Sequence, residues 1–156
     1  MKLLIDAGIN LETENGNGCR AIHFVCGEGH IEMCKMLIKA GVNLEAEDID
    51  NLRPIHYACD ENHLQIVKLL IESGVNLETE DKDGNKPIIL AYYNNHEEIV
   101  KILIEVGVNY TFIDFDTTML FIGTKVNKIS SILVNFMNFN NDDEVVDYDI
   151  TSKKHL

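Results

Sequence analysis

Histidines, cysteines and carboxylates are the side chains in this chain that could bind a metal, attack a substrate or move a proton. Their spacing points elsewhere. His30, His63 and His96 follow one another at steps of 33 residues, and His23 and His56 are separated by the same step. A zinc site needs every ligand about 2 Å from one ion. Side chains at one register of successive helical units stand roughly 8–10 Å apart, the helix packing distance. A structural period therefore explains the histidines, and no metal site is expected. Cys26 and Cys59 share a register across one step, where the backbones exceed the limit of about 7 Å for a disulfide. There is no CxxC pair, so Cys26, Cys34 and Cys59 are expected as small buried apolar residues in a reducing compartment. Cys19 lies in a turn and is expected as an exposed thiol. Catalysis would need a nucleophile beside a base, or paired carboxylates in a cleft. Gly16-Asn17-Gly18 follows no strand and lacks the Lys and Ser or Thr of a phosphate-binding loop. The expectation is a chain that is not an enzyme, with no catalytic residue, no metal and no cofactor.

The carboxylates dominate the charge. Thirteen Lys and Arg against 26 Asp and Glu give a net charge of −13 in 156 residues. Such a surface repels phosphate backbones, which argues against nucleic acid, and favours a protein partner with a basic face. No run approaches the roughly 20 apolar residues needed to cross a bilayer. Met1-Lys2-Leu3-Leu4-Ile5-Asp6 meets an acid too early for a signal peptide. An intracellular location, cytoplasmic or nuclear, with no membrane partner, is the expectation.

The elements that carry these residues repeat. Ala7-Gly8-Ile9-Asn10-Leu11-Glu12 returns as Ala40-Gly41-Val42-Asn43-Leu44-Glu45 and as Ser73-Gly74-Val75-Asn76-Leu77-Glu78. It returns more weakly as Val106-Gly107-Val108-Asn109-Tyr110-Thr111, always at a step of 33. Within each period the apolar residues fall at helical spacing. First helices are predicted over Ala21–Glu28, Pro54–Glu61 and Pro87–Asn94, with Pro54 and Pro87 in the first turn. Gly29, Asn62 and Asn95 suit a left-handed residue ending each of them. Second helices are carried by Ile31, Cys34, Leu37 and Ile38, by Leu64, Val67, Leu70 and Ile71, and by Ile99, Val100, Leu103 and Ile104. Gly41, Gly74 and Gly107 close them. Helices of about 8–10 residues do not stand alone in water, so each pair must bury its apolar face on its neighbours. The links between pairs are acidic: Glu12 and Glu14; Glu45, Glu47, Asp48 and Asp50; Glu78, Glu80, Asp81 and Asp83; Asp114 and Asp116. Stacked, they are expected to form a continuous acidic rim.

These residues resemble the ankyrin repeat family. Its first-helix pattern reads here as Gly18-Cys19-Arg20-Ala21-Ile22-His23, Asn51-Leu52-Arg53-Pro54-Ile55-His56 and Gly84-Asn85-Lys86-Pro87-Ile88-Ile89. Its second-helix pattern reads as Met33-Cys34-Lys35-Met36-Leu37, Ile66-Val67-Lys68-Leu69-Leu70 and Ile99-Val100-Lys101-Ile102-Leu103. The resemblance implies an all-α ankyrin-like solenoid of helix-turn-helix units with short β-turn links. Three full repeats are expected, 15–47, 48–80 and 81–113, after a partial unit at 1–14 that holds only a second helix and link. A degenerate capping unit at 114–139 and a disordered acidic tail at 140–156 are expected to follow. Where the family has a hydroxyl N-cap, this chain has Arg20, Arg53 and Lys86. A lost cap costs about 1 kcal/mol and a cation faces the wrong end of the helix dipole, which predicts a softer stack, relieved where nearby acids neutralise the cations.

The family's contact surface, the turn tips and the exposed side of the first helices, carries over to Gly16, Asn17, Cys19, Gly27 and Glu28 in the first full repeat. The set expected to bind a partner is Ile49, Asp50, Leu52, Tyr57, Asp60, Glu61, Asp83, Asn85, Tyr93 and Asn94. Ile49 and Leu52 are apolar on a tip that should be wet, and apolar anchors ringed by polar groups are the usual composition of a binding hot spot. The function implied is non-catalytic protein–protein interaction by a monomeric scaffold that binds a basic partner through its concave face. The alternative is a structural spacer, or a truncated fragment of a longer array, with no partner of its own.

Overall fold

The computed structural model describes residues 7–109. They form α1 (Ala21–Gly27), α2 (Ile31–Lys39), α3 (Pro54–Asp60), α4 (Leu64–Glu72), α5 (Pro87–Tyr93) and α6 (Glu97–Glu105). No strand occurs among the described residues. Positions 110–113 of the third repeat, the capping unit at 114–139, the tail at 140–156 and the first six residues of the partial unit lie outside them. Each first helix stops one residue short of the sequence expectation because Glu28, Glu61 and Asn94 act as C-caps. Asn62 and Asn95 then take the left-handed conformation, both with φ of 61°, as their residue type allows.

The first helices stack α1 on α3 on α5, and the second helices stack α2 on α4 on α6, giving two layers with the core between them. Ile22, Leu37, Ile55, Ile66, Leu70, Ile88, Ile99 and Leu103 are fully buried there. Burying one such side chain contributes about 1.5–3 kcal/mol, and helices of seven and nine residues have no other source of stability of that size.

The turns between pairs are built by one residue type at one register. The Oδ1 of Asn15 accepts the N–H groups of Asn17 and Cys19, that of Asp48 those of Asp50 and Leu52, and that of Asp81 those of Asp83 and Asn85. Successive tips are then tied by main-chain bonds: Ile49 N–H to the Asn17 carbonyl at 3.1 Å and Lys82 N–H to the Asp50 carbonyl at 2.9 Å.

The repeated Gly-Val-Asn-Leu-Glu stretch owes its Glu to a double task. Glu45 Oε1 accepts the Asn76 N–H of the next link at 2.7 Å while its Oε2 pairs with Arg53 of the following helix start. Glu12 does the same with Asn43 and Arg20, and Glu78 with Asn109 and Lys86, at 2.6–2.7 Å. Arg20 and Arg53 also pair with Glu14 and Glu47. The cations at the helix starts are thus neutralised, and they position the glutamates that join one repeat to the next. Glu45→Ala is expected to lower unfolding free energy by about 1 kcal/mol, since it removes the acceptor of the Asn76 N–H and one of the two carboxylates on Arg53. Glu32→Ala, which breaks only an exposed pair with Lys35, should cost under about 0.5 kcal/mol. Urea unfolding of the two variants checks the difference.

Candidate functional site

Four of the five histidines that share the period, His23, His56, His63 and His96, are hydrogen-bonded within the stack, and His30 is exposed. His23, fully buried, accepts the Arg20 N–H on Nδ1 at 2.9 Å and donates from Nε2 to the Ala46 carbonyl at 2.9 Å. It supplies at helix position N3 the acceptor that a hydroxyl N-cap would otherwise complement. His56 repeats the Nδ1 contact with the Arg53 N–H at 2.9 Å. The third repeat has Ile89 at this register. His63 and His96 sit at the starts of α4 and α6 and donate from Nε2 to the carbonyls of Gly27 and Asp60, each at 2.8 Å. Those carbonyls belong to the preceding repeat, so each of these histidines clips one unit to the one before it. Among the described residues no three His, Cys, Asp or Glu side chains converge as a metal site.

His56 also carries a pH dependence. Its Nε2 is buried without a hydrogen-bond partner. Burial, opposed by the Thr79 main chain and the Asp81 charge, pushes the imidazole pKa below its ordinary value. A histidine depressed in the fold binds more protons unfolded, so its stabilising contribution is complete above about pH 6.5 and is lost as pH falls through the folded value. The thermal midpoint is expected to fall between pH 7 and pH 5. His56→Asn, whose Oδ1 can still accept the Arg53 N–H, should show a shallower slope; an unchanged slope would refute the assignment.

Cys26, Cys34 and Cys59 are fully buried as expected, but Cys19 is not the exposed thiol that its turn position suggested; it is 8% exposed. Its Sγ lies 3.4 Å from Tyr57 Oη and 3.8 Å from Asp48 Oδ2. Tyr57 donates its hydroxyl to Asp48 Oδ2 at 2.6 Å and sets its ring edge-on to His23, with centroids 5.6 Å apart. Burial raises the Asp48 pKa, but the Tyr57 hydroxyl and the Asp50 and Leu52 N–H groups outweigh it and hold the carboxyl below its usual range. Burial and the Asp48 carboxylate together push the Tyr57 phenol upward. This cluster locks a turn onto a helix; it places no activated nucleophile beside a base.

In the expected acidic rim, the ten acids of the described links are met by four cations. Glu12, Glu14, Glu45, Glu47 and Glu78 face Arg20, Arg53 and Lys86, and Asp50 pairs with Lys82. Asp48 is buried and Asp81 turns back into its own loop. Glu14, Glu47, Glu78, Glu80 and Asp83 are exposed in this column.

The ten residues expected to bind a partner divide into two neighbouring groups. At the tips, Ile49 is 65% exposed and Asp83 is exposed. Leu52 is half-buried, and Asn85 is half-buried against Asp81. At the ends of α3 and α5, Glu61 is exposed and Tyr93 is 57% exposed, its ring edge-on to Tyr92 at 5.9 Å. Asp60 Oδ1 accepts the Asn94 side-chain amide at 2.6 Å, which brings these two helix ends together. Asp50, Tyr57, Asp60, Asn85 and Asn94 thus hold intramolecular partners, while Ile49, Glu61, Asp83 and Tyr93 present their side chains outward. Sequence reasoning missed Phe24, 52% exposed on α1; its signal was the step of 33 that aligns it with Tyr57 and Leu90. On the opposite, second-helix side, a shallow groove between α4 and α6 is lined by Leu64, Lys68, Glu98, Lys101, Ile102 and Glu105 and holds no catalytic grouping.

No curated protein matches the chain. Among the described residues no helix is long and apolar enough to cross a membrane. The family model described as ankyrin repeats (3 copies) matches residues 1–81 and again 41–114. Ankyrin repeats generally mediate protein–protein interaction, and the family is typically non-catalytic. With two overlapping matches reaching residue 114, over helices, turns and histidine clips that recur in register, the chain belongs to the ankyrin repeat family.

Proposed function

We propose that this chain is a non-catalytic scaffold that binds a partner protein through the concave face of its turn tips and first helices. The observation that carries the reading is the outward placement of Ile49 and Tyr93, at 65% and 57% exposure, beside Asp83 and Glu61. Large apolar side chains left in water next to acids suit a partner segment with apolar anchors and basic flanks. Of the exposed acids, Glu61, Asp83 and Glu80 add steering charge to the excess that the paired links retain. The scaffold acts as a monomer in the cytoplasm or nucleus. Capture from a cell lysate by the intact chain, compared with Ile49→Ser/Tyr93→Ser/Glu61→Lys after circular dichroism has matched their helicity, tests the reading. A protein held by the first and released by the second is expected. Equal retention would favour a structural spacer, a role in which the paired link acids serve only to join repeats.

A further inference from the structure

The first turn tip differs from the next two in chemistry rather than in shape. It carries Asn15 and Asn17 at registers where the later tips carry Asp48 and Asp50, then Asp81 and Asp83. Each of these two asparagines is followed by glycine, and no other asparagine in the chain is. A glycine amide has no side chain beside it and a freely turning backbone. Its nitrogen can therefore close on the preceding side-chain amide, a reaction that helps make asparagine a thermolabile residue.

The fold treats the two Asn-Gly pairs differently. The Asn17–Gly18 peptide is held at both ends: Gly18 N–H donates to the Asn15 carbonyl at 3.0 Å, and the Asn17 carbonyl accepts the Ile49 N–H at 3.1 Å. Gly18 also lies against the next tip, where an added Cβ would stand 3.2 Å from Asp48 Cα. Gly16 N–H makes no hydrogen bond among the described residues, and Gly16 is exposed with open space around it. Asn15 Oδ1 meanwhile accepts the Asn17 and Cys19 N–H groups at 2.9 and 3.0 Å. Negative charge grows on this oxygen when a nucleophile adds to Cγ, and two donors already aimed at it stabilise that charge.

We propose that Asn15 is a self-modification site, at which attack by the Gly16 nitrogen gives the first tip the acidic chemistry of the other two. The Gly16 nitrogen bonds to Asn15 Cγ and loses its proton. The Cγ–Nδ2 bond breaks, and the side-chain nitrogen leaves with that proton as ammonia. Water then opens the cyclic imide at one of its two carbonyls. Opening at Cγ leaves aspartate at position 15, able to hold the Asn17 and Cys19 N–H groups as Asp48 and Asp81 hold theirs. Opening at the main-chain carbonyl leaves a β-linked residue, whose extra main-chain atom disturbs the bond between Ile49 and Asn17. Either product adds a negative charge to the tip. The chemistry needs no partner, so it stands independently of the concave-face reading.

The test follows both asparagines in the full chain, folded at neutral pH or unfolded in urea, by peptide mass spectrometry that separates the α- and β-linked products. In urea the two pairs are expected to convert at similar rates. In the folded chain Asn15 should convert at least about fivefold faster than Asn17. Gly16→Ala, with open space for its methyl group, should slow conversion at Asn15. Equal rates at the two asparagines in the folded chain would overturn the proposal, as would an Asn15 rate that Gly16→Ala leaves unaltered. A preference for Asn15 of the same size in urea would overturn it too, because the fold would then contribute nothing.

Discussion

Gly29→Ala is expected to lower the free energy of unfolding by about 2–3 kcal/mol, although it adds one methyl group at a half-buried joint. Gly29 has φ of 75°, where an L residue costs roughly 1–2 kcal/mol. A Cβ there would stand 2.6 Å from His63 Cε1 and 2.7 Å from Nδ1. The imidazole must swing away, and its hydrogen bond to the Gly27 carbonyl is lost with it, at about 1 kcal/mol more. Gly41→Ala separates the two costs. Gly41 has φ of 76° but open space around its Cβ position, so only the conformational cost applies. Urea unfolding of both variants, and of Gly29→Ala with His63→Ala, checks the division. The double variant should be less destabilised than the sum of the singles, because the two changes remove one contact.

Asp48→Ala is expected to cost about 2–3 kcal/mol, since it strands the Asp50 and Leu52 N–H groups and the Tyr57 hydroxyl at once. The chain contains its own control. Asn15, at the same register, makes the same two turn bonds without a charge. Asp48→Asn should therefore stay within about 1 kcal/mol of the parent, retaining the turn and weakening only the charged acceptor for Tyr57. The depressed carboxyl pKa adds an acid signature. Its contribution is complete above the ordinary carboxyl value of about 3.9 and disappears as pH falls through the lower folded value. Thermal scans from pH 5 to pH 2.5 should show a steeper loss for the parent than for Asp48→Asn, with Tyr57→Phe between them.

What could be read from the sequence and what could not divide along physical lines. Periodicity gave the six described helices and the left-handed Gly29, Asn62 and Asn95, because these depend on local spacing and residue type. The acids of the links were legible, but not the partners of their glutamates. Glu45 meets Arg53 eight residues away and the Asn76 N–H 31 residues away, and the second meeting exists only once repeats stack. Cys19 was misread for a similar reason: what buries it includes Tyr57, 38 residues on, whose hydroxyl reaches back to the preceding turn. Among the candidate contacts, Ile49 and Tyr93 were legible as apolar residues at wet registers. The internal partners of Asp60, Asn85 and Asn94 were not, since a polar side chain at the surface gives no sign in sequence of which neighbour it meets.

The concave-face proposal is tested most directly by site-specific photocrosslinking in cells. A photoreactive amino acid replaces Ile49 or Tyr93 in one pair of variants and Lys68 or Lys101, in the second-helix groove, in another. The account predicts one and the same protein crosslinked from positions 49 and 93 and absent from positions 68 and 101. A partner crosslinked from 68 or 101 and from neither 49 nor 93 would contradict it.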